Sequence, residues 1–113
     1  TYEYSCLNYI LLGKIVQTVS GKPLQRFARD AVFAPLGLLD TTYLPDVALL
    51  RKRIAPTQSE EGMEETLPVT LCGVVHDGNA RGIEAGNADE VSGNAGLFST
   101  ARDVARFGNA LLH

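Results

Sequence analysis

Tyr4, Cys6, His76, Asp77, Ser92 and Asn94 are the residues of this chain whose types and spacing could do chemistry. Tyr4-Ser5-Cys6 is a polar, aromatic loop that turns at once into the apolar run from Leu7 to Gly13. A side chain at the mouth of a core helix is held rigidly, and that suits a catalytic group. Tyr2, Tyr4 and Tyr9 equally suit half-buried packing. His76-Asp77 is a His–carboxylate pair, but adjacent residues rarely point the same way. It either touches a substrate or pins the segment around it. Ser92-Gly93-Asn94 could mimic a Ser-x-Asn catalytic element, which makes Asn94 a candidate substrate-binding residue. The chain has no Gly-x-Ser-x-Gly elbow, no His-Glu-x-x-His helix and no phosphate-binding Gly-rich loop with Lys. Cys6 and Cys72 match no metal-ligand spacing, leaving one disulfide or two free buried thiols. Neither a metal nor another cofactor is expected.

Positioning these residues falls to three helices. Leu7, Leu11, Ile15 and Val19 repeat every four residues, with Leu12 and Val16 beside them. That pattern predicts a helix over 6–20, packed on more than one side, with Gly21 as a left-handed cap. A second, amphipathic helix is expected over 23–34. Pro23 stands at its first position, Leu24, Phe27, Ala28 and Ala31 form its stripe, and Pro35 and Gly37 end it. A third is expected over 100–112, with Thr100 as N-cap and Asp103 as the acid of a capping box. Val104, Phe107 and Leu111 are its expected buried face.

Between them the signals are weaker. Asp40 to Pro45 reads as an extended connector, and Asp46 could cap one turn from Val47 to Leu50. Ile54 to Thr57 and Val69 to Val75 could be short strands, paired across the acidic loop from Glu60 to Glu65. Gly73 to Gly96 contains six glycines and three asparagines. Such a segment needs special backbone angles or brings backbone close to something else.

With 113 residues the chain has room for one domain and one modest core. Hydrophobic residues make up 45% and charged residues 20%, a globular composition. A net charge of −3 with no basic patch argues against a nucleic-acid partner. The apolar runs are too short for a membrane segment. The chain does not begin with Met and shows no signal peptide, so it reads as a piece of something longer.

Tyr4-Ser5-Cys6-Leu7-Asn8-Tyr9-Ile10-Leu11-Leu12-Gly13 resembles the Tyr-x-Asn loop and following helix of serine β-lactamase-like enzymes. That group includes class C β-lactamases, penicillin-binding DD-peptidases and family VIII carboxylesterases. The resemblance continues through Val19 to Leu24, Phe33 to Leu38, Asp40 to Pro45 and Val75 to Ala80. It closes with Ala95 to Phe107, so the blocks fall in the family's order over nearly the whole chain.

The resemblance implies an acyl-enzyme mechanism. In the family a serine of a Ser-x-x-Lys motif attacks the acyl carbonyl, and the lysine and a tyrosine share the proton traffic. A later strand with Lys-Thr-Gly or His-x-Gly binds the substrate carboxylate and completes the oxyanion hole. By match Tyr4 is the general-base tyrosine, and Cys6, in a substrate-binding position, holds the place usually taken by Asn. The expected partner is a small-molecule acyl substrate, and export to the periplasm is expected from the family.

Two departures from the family pattern matter. Ser-x-x-Lys and Lys-Thr-Gly are absent, and His76-Asp77-Gly78 precedes the Ser99-Thr100 helix where the family's strand should follow it. The expected fold is therefore α-rich α+β. It is a single partial domain over 1–113, the helical lobe of the β-lactamase/transpeptidase-like fold without its main sheet lobe. A bared docking face could then meet that lobe or a second copy. Second, a thiol lacks the amide donor and acceptor of Asn, which leans toward an esterase or peptidase-like member. The alternative is a helical interaction module derived from the fold that has lost catalysis.

Overall fold

The computed structural model describes residues 3–46, 53–55 and 91–113. Helix α1 runs Cys6–Ser20. It starts where Ser5 leaves extended backbone (φ −144°, ψ 122°), and it stops at Gly21 (φ 66°, ψ 15°). The Gly21 N–H donates to Gln17 O at 3.0 Å, a left-handed cap that glycine enters without a Cβ penalty.

Helix α2 (Leu24–Ala28) passes directly into a π-helical turn, Arg29–Phe33. The sequence predicts one regular helix here, and the structure widens its second half. Ala34 N–H reaches Arg29 O at 2.9 Å and Leu38 N–H reaches Phe33 O at 2.9 Å, both spanning five residues. Pro35 accounts for the widening: it has no N–H to donate and its ring crowds the carbonyl four residues back. Pro23 is the residue before α2 rather than its first (φ −53°, ψ 143°), and its carbonyl accepts from Arg26 and Phe27 N–H at 3.0 Å.

The expected connector after Asp40 contains a strand. β1 (Thr42–Tyr43) pairs antiparallel with β2 (Leu97–Phe98), Thr42 opposite Phe98 and Tyr43 opposite Leu97. Leu44 leaves β1 with φ 49°, left-handed backbone that a leucine adopts only under strain. Helix α3 (Ala101–Leu112) follows β2, capped by Thr100, whose Oγ1 accepts from Asp103 N–H at 3.3 Å. This is the α-rich α+β arrangement expected, with one two-stranded sheet among the described residues. Ile54 and Ala55 lie in no strand. The expectations for 47–50 and 69–75, for His76-Asp77 and for Cys72 fall outside the described residues, as does most of the glycine-rich segment.

Leu24, Phe33, Leu38 and Val91 form the apolar core of the described residues. Two expectations about burial are corrected. Leu11, Ile15 and Val19 are 54%, 56% and 83% exposed, and Gly13 is the only buried residue of α1. Val104, Phe107 and Leu111 of α3 are likewise exposed, and the buried residue of that helix is Asp103. Periodicity marks the face that wants a partner but does not supply one. These bared faces are what a helical lobe shows when its docking neighbour is not packed on it.

Asp103 also departs from its expected role. Its carboxylate turns inward instead of back to the cap. Oδ2 accepts from Asp40 N–H at 2.8 Å and from Thr41 Oγ1 at 2.9 Å, while Thr41 Oγ1 and Ser99 Oγ lie 2.8 Å apart. One buried carboxylate thus joins the start of α3 to the residues leading into β1. Arg106 reinforces the joint by donating to Gly37 O at 2.7 Å.

Candidate functional site

Tyr4 sits two residues before α1 and is exposed, so it is not one of the half-buried core aromatics. Its ring packs on Tyr9, centroids 5.7 Å apart and tilted by 35°. Tyr9 is one turn into the helix, so the stack fixes the loop residue against a rigid element. Cys6, the first residue of α1, is an exposed free thiol whose Sγ lies 3.9 Å from Tyr4 Oη, a weak donor contact. The expectation of a buried Cys6 is therefore corrected: it faces solvent beside the tyrosine. Ser5 makes no side-chain cap and no acid stands in the first turn of α1. The positive end of the helix dipole is left available beside Tyr4 and Cys6.

The Ser92-Gly93-Asn94 segment lies directly on the same helix. A Cβ at Gly93 would collide with the Tyr9 carbonyl oxygen and come within 3.2 Å of Gly13 N and Cα. From the other side, a Cβ at Gly13 would meet Gly93 N at 3.1 Å and Leu24 Cδ2 at 3.2 Å. Two facing glycines let the loop backbone touch the helix backbone. Ser92 Oγ donates to Asn94 Oδ1 at 2.6 Å, which orients that amide. The structure thus brings Tyr4, Cys6 and the Ser92–Asn94 segment to the first half of α1. Tyr4 and Cys6 touch each other, and Asn94 follows the residue pressed on Tyr9.

Sequence reasoning passed over Tyr9 as a ring partner and the Gly13–Gly93 contact. Gly13 inside an apolar helical run was the signal available, since a mid-helix glycine weakens a helix unless something approaches it closely.

Elsewhere Asp30 lies against Arg29 and Lys22, at 3.0 and 3.6 Å. The Arg29 hydrogen bond holds its carboxyl below the usual carboxylate value. Burial pushes the half-buried Tyr43 phenol up from its ordinary 10.0. Among the described residues no cluster of His, Cys, Asp and Glu could hold a metal ion, and no helix is long and apolar enough to cross a membrane.

Residues 1–113 match the Beta-lactamase family from end to end, and the chain belongs to it. Over 110 residues it is 36% identical to a protein of Escherichia coli K12 named "Putative D-alanyl-D-alanine carboxypeptidase". That alignment covers 90% of this chain and 24% of the relative. Over 112 residues it is 37% identical to "N-acetylmuramyl-L-alanine amidase" of Bacillus subtilis, covering 92% of this chain and 24% of that protein. A Salmonella agona protein named like the first is 33% identical over 114 residues. The chain therefore spans about a quarter of the length of these curated relatives.

Proposed function

We propose that this chain is a single partial domain, the helical-lobe segment of a serine hydrolase that works through an acyl-enzyme. Its substrate is a small molecule with an ester, amide or β-lactam carbonyl. The observation that carries the reading is the family match over 1–113; Tyr4, at the head of α1, is the residue whose motif resembles the family's tyrosine loop.

Tyr4 takes the proton of a serine hydroxyl as that oxygen bonds to the acyl carbon. It returns the proton to the alcohol or amine that leaves, and water then hydrolyses the ester by the same route. A serine hydroxyl is a poor nucleophile until a base takes its proton. A free phenol titrates near ~10, so Tyr4 serves as base when positive charge beside it favours the phenolate. The α1 dipole supplies part of that charge, and the lysine of a Ser-x-x-Lys motif outside these 113 residues supplies the rest. Cys6, whose Sγ lies 3.9 Å from Tyr4 Oη, and Asn94 serve as substrate contacts. With a thiol in place of the family's amide, the site favours simple acyl groups over amide-bearing β-lactams. The parent enzyme is exported, as suits hydrolases that work on cell-wall peptides.

The test begins with the reading frame around these residues, where Ser-x-x-Lys upstream and Lys-Thr-Gly or His-x-Gly downstream are expected. In the encoded protein, a fluorescent penicillin or a nitrophenyl ester should acylate the serine. Tyr4→Phe should slow acylation by roughly 10²–10⁴-fold, the range for loss of a general base. A frame without those motifs, or a Tyr4→Phe protein of undiminished rate, refutes the reading.

A further inference from the structure

A groove of about 740 Å³ opens between α2 with its π-helical turn and the segment Leu38 to Leu44, and shares no residue with Tyr4, Cys6 or Asn94. Its size falls in the range of small-molecule sites, about 300–1,000 Å³. The apolar part of its lining includes Phe33 and Leu38, both buried. Tyr43 stands 6.4 Å from Phe33, ring centre to ring centre and tilted by 34°, so two rings frame that surface.

The polar side chains on this lining are Gln25, Arg26, Arg29, Thr41, Thr42 and Tyr43. Arg26 and Arg29, three residues apart and so on one side of the helix, both line the groove, and among the described residues no acid does. Arg29 is partly neutralised by Asp30 at 3.0 Å. The Arg26 guanidinium makes no ion pair or hydrogen bond among the described residues, and neither does the Tyr43 hydroxyl. Thr41 and Thr42, on the same wall, already use their hydroxyls, on Ser99 and Asp103 and on the Tyr43 carbonyl. Besides the Gln25 amide, what remains is a cation and a phenolic O–H, both donors, next to an apolar surface with two rings. A half-buried phenol kept from ionising by burial stays a donor through the neutral range.

Two backbone irregularities border the same groove. The π-helical turn supplies Arg29 and Phe33 to the lining, and Leu44, with φ 49°, also lines it. Interruptions of this kind gather at binding sites, because they re-aim side chains at a local cost.

From the unspent donors and the two-ring wall we infer that this groove is a second ligand site, for a small amphipathic carboxylate. The ring or acyl body of that ligand lies against Phe33, Leu38 and Tyr43, and its carboxylate meets Arg26 and the Tyr43 hydroxyl. A guanidinium matches a carboxylate in shape as well as charge. A neutral ligand of the same body would gain only the apolar contact.

The experiment titrates the full-length encoded protein with naphthalene-2-carboxylate and, separately, with uncharged naphthalene-2-methanol, following amide chemical shifts. Saturable shifts are expected at Arg26, Phe33, Thr42 and Tyr43, with the acid binding about tenfold tighter than the alcohol. Arg26→Gln should remove about that tenfold preference, and Tyr43→Phe, which keeps the ring, should weaken the acid severalfold. Arg26 is exposed and Tyr43→Phe is isosteric, so both variants should keep the far-UV circular dichroism of the parent. Equal binding of acid and alcohol, or Arg26→Gln without effect, overturns the site. So do shifts gathered on the Leu11–Ile15–Val19 face, or no saturation at millimolar probe.

Discussion

Replacing Asp103 by Ala should cost this fold more than replacing any exposed charge among the described residues. The side chain is 4% exposed and its Oδ2 takes two hydrogen bonds, from Asp40 N–H and Thr41 Oγ1. A hydrogen bond to a charged group contributes about 1.5–3 kcal/mol. Losing the carboxylate leaves the Asp40 N–H with no partner at all, whereas Thr41 keeps Ser99 at 2.8 Å. One full loss and one partial loss add to about 2–4 kcal/mol. Folded domains hold only about 5–15 kcal/mol in all. A loss of that size is therefore a large share of the total. Asp103→Asn keeps the shape and an acceptor oxygen and should lose about 1 kcal/mol. Asp40→Ala is the control. It deletes only the exposed pair with Arg53, retains the backbone N–H, and should cost about 0–1 kcal/mol. Urea unfolding at neutral pH gives the stabilities, and hydrogen exchange of the Asp40 amide reports the bond itself. Asp103→Ala should speed that exchange by about ten- to a hundredfold. An alanine variant as stable as Asp40→Ala, or an asparagine variant no better than alanine, would falsify the claim that this carboxylate holds α3 to β1.

Gly93→Ala should lift the Ser92–Asn94 segment off α1, because the new Cβ meets the Tyr9 carbonyl, at about 1–3 kcal/mol of overpacking. Gly108→Ala, with open space around it inside α3, should instead stabilise the chain by about 0.5–1 kcal/mol; thermal melts separate the two. Burial raises the Tyr43 pKa in the folded chain, so the unfolded chain ionises first as pH rises. Its contribution is whole below about pH 10 and is lost as pH climbs toward the folded value; Tyr43→Phe should flatten the alkaline end of a stability–pH curve. The isolated chain should hydrolyse neither nitrocefin nor a nitrophenyl ester above background, for want of a Ser-x-x-Lys nucleophile. Turnover that scales with protein and vanishes in Tyr4→Phe would show otherwise.

The bounds of α1 and α3 were legible because helix ends are written locally. Gly21 can turn left-handed where Cys6–Ser20 stops, and Thr100 carries the hydroxyl that caps Asp103. Tyr4 at the head of α1, with Cys6 beside it, was readable for the same reason, since two residues of spacing and a helix start place both. Burial was not readable. The Leu11–Ile15–Val19 repeat states that one face is apolar, but only a neighbour in space buries it, and among the described residues none does. Asp103 shows the same limit in reverse. Its position in α3 suggested a local capping box, while its carboxylate serves Asp40 and Thr41, more than sixty residues away. The β1–β2 pairing and the seating of Gly93 on Tyr9 also join distant parts of the chain, so neither leaves a local trace. The chain's own order determined where helices begin, where they end and which residue stands at their mouths. Tertiary structure alone decided which faces meet, because a hydrogen bond or a packed surface needs a second partner that local sequence does not contain.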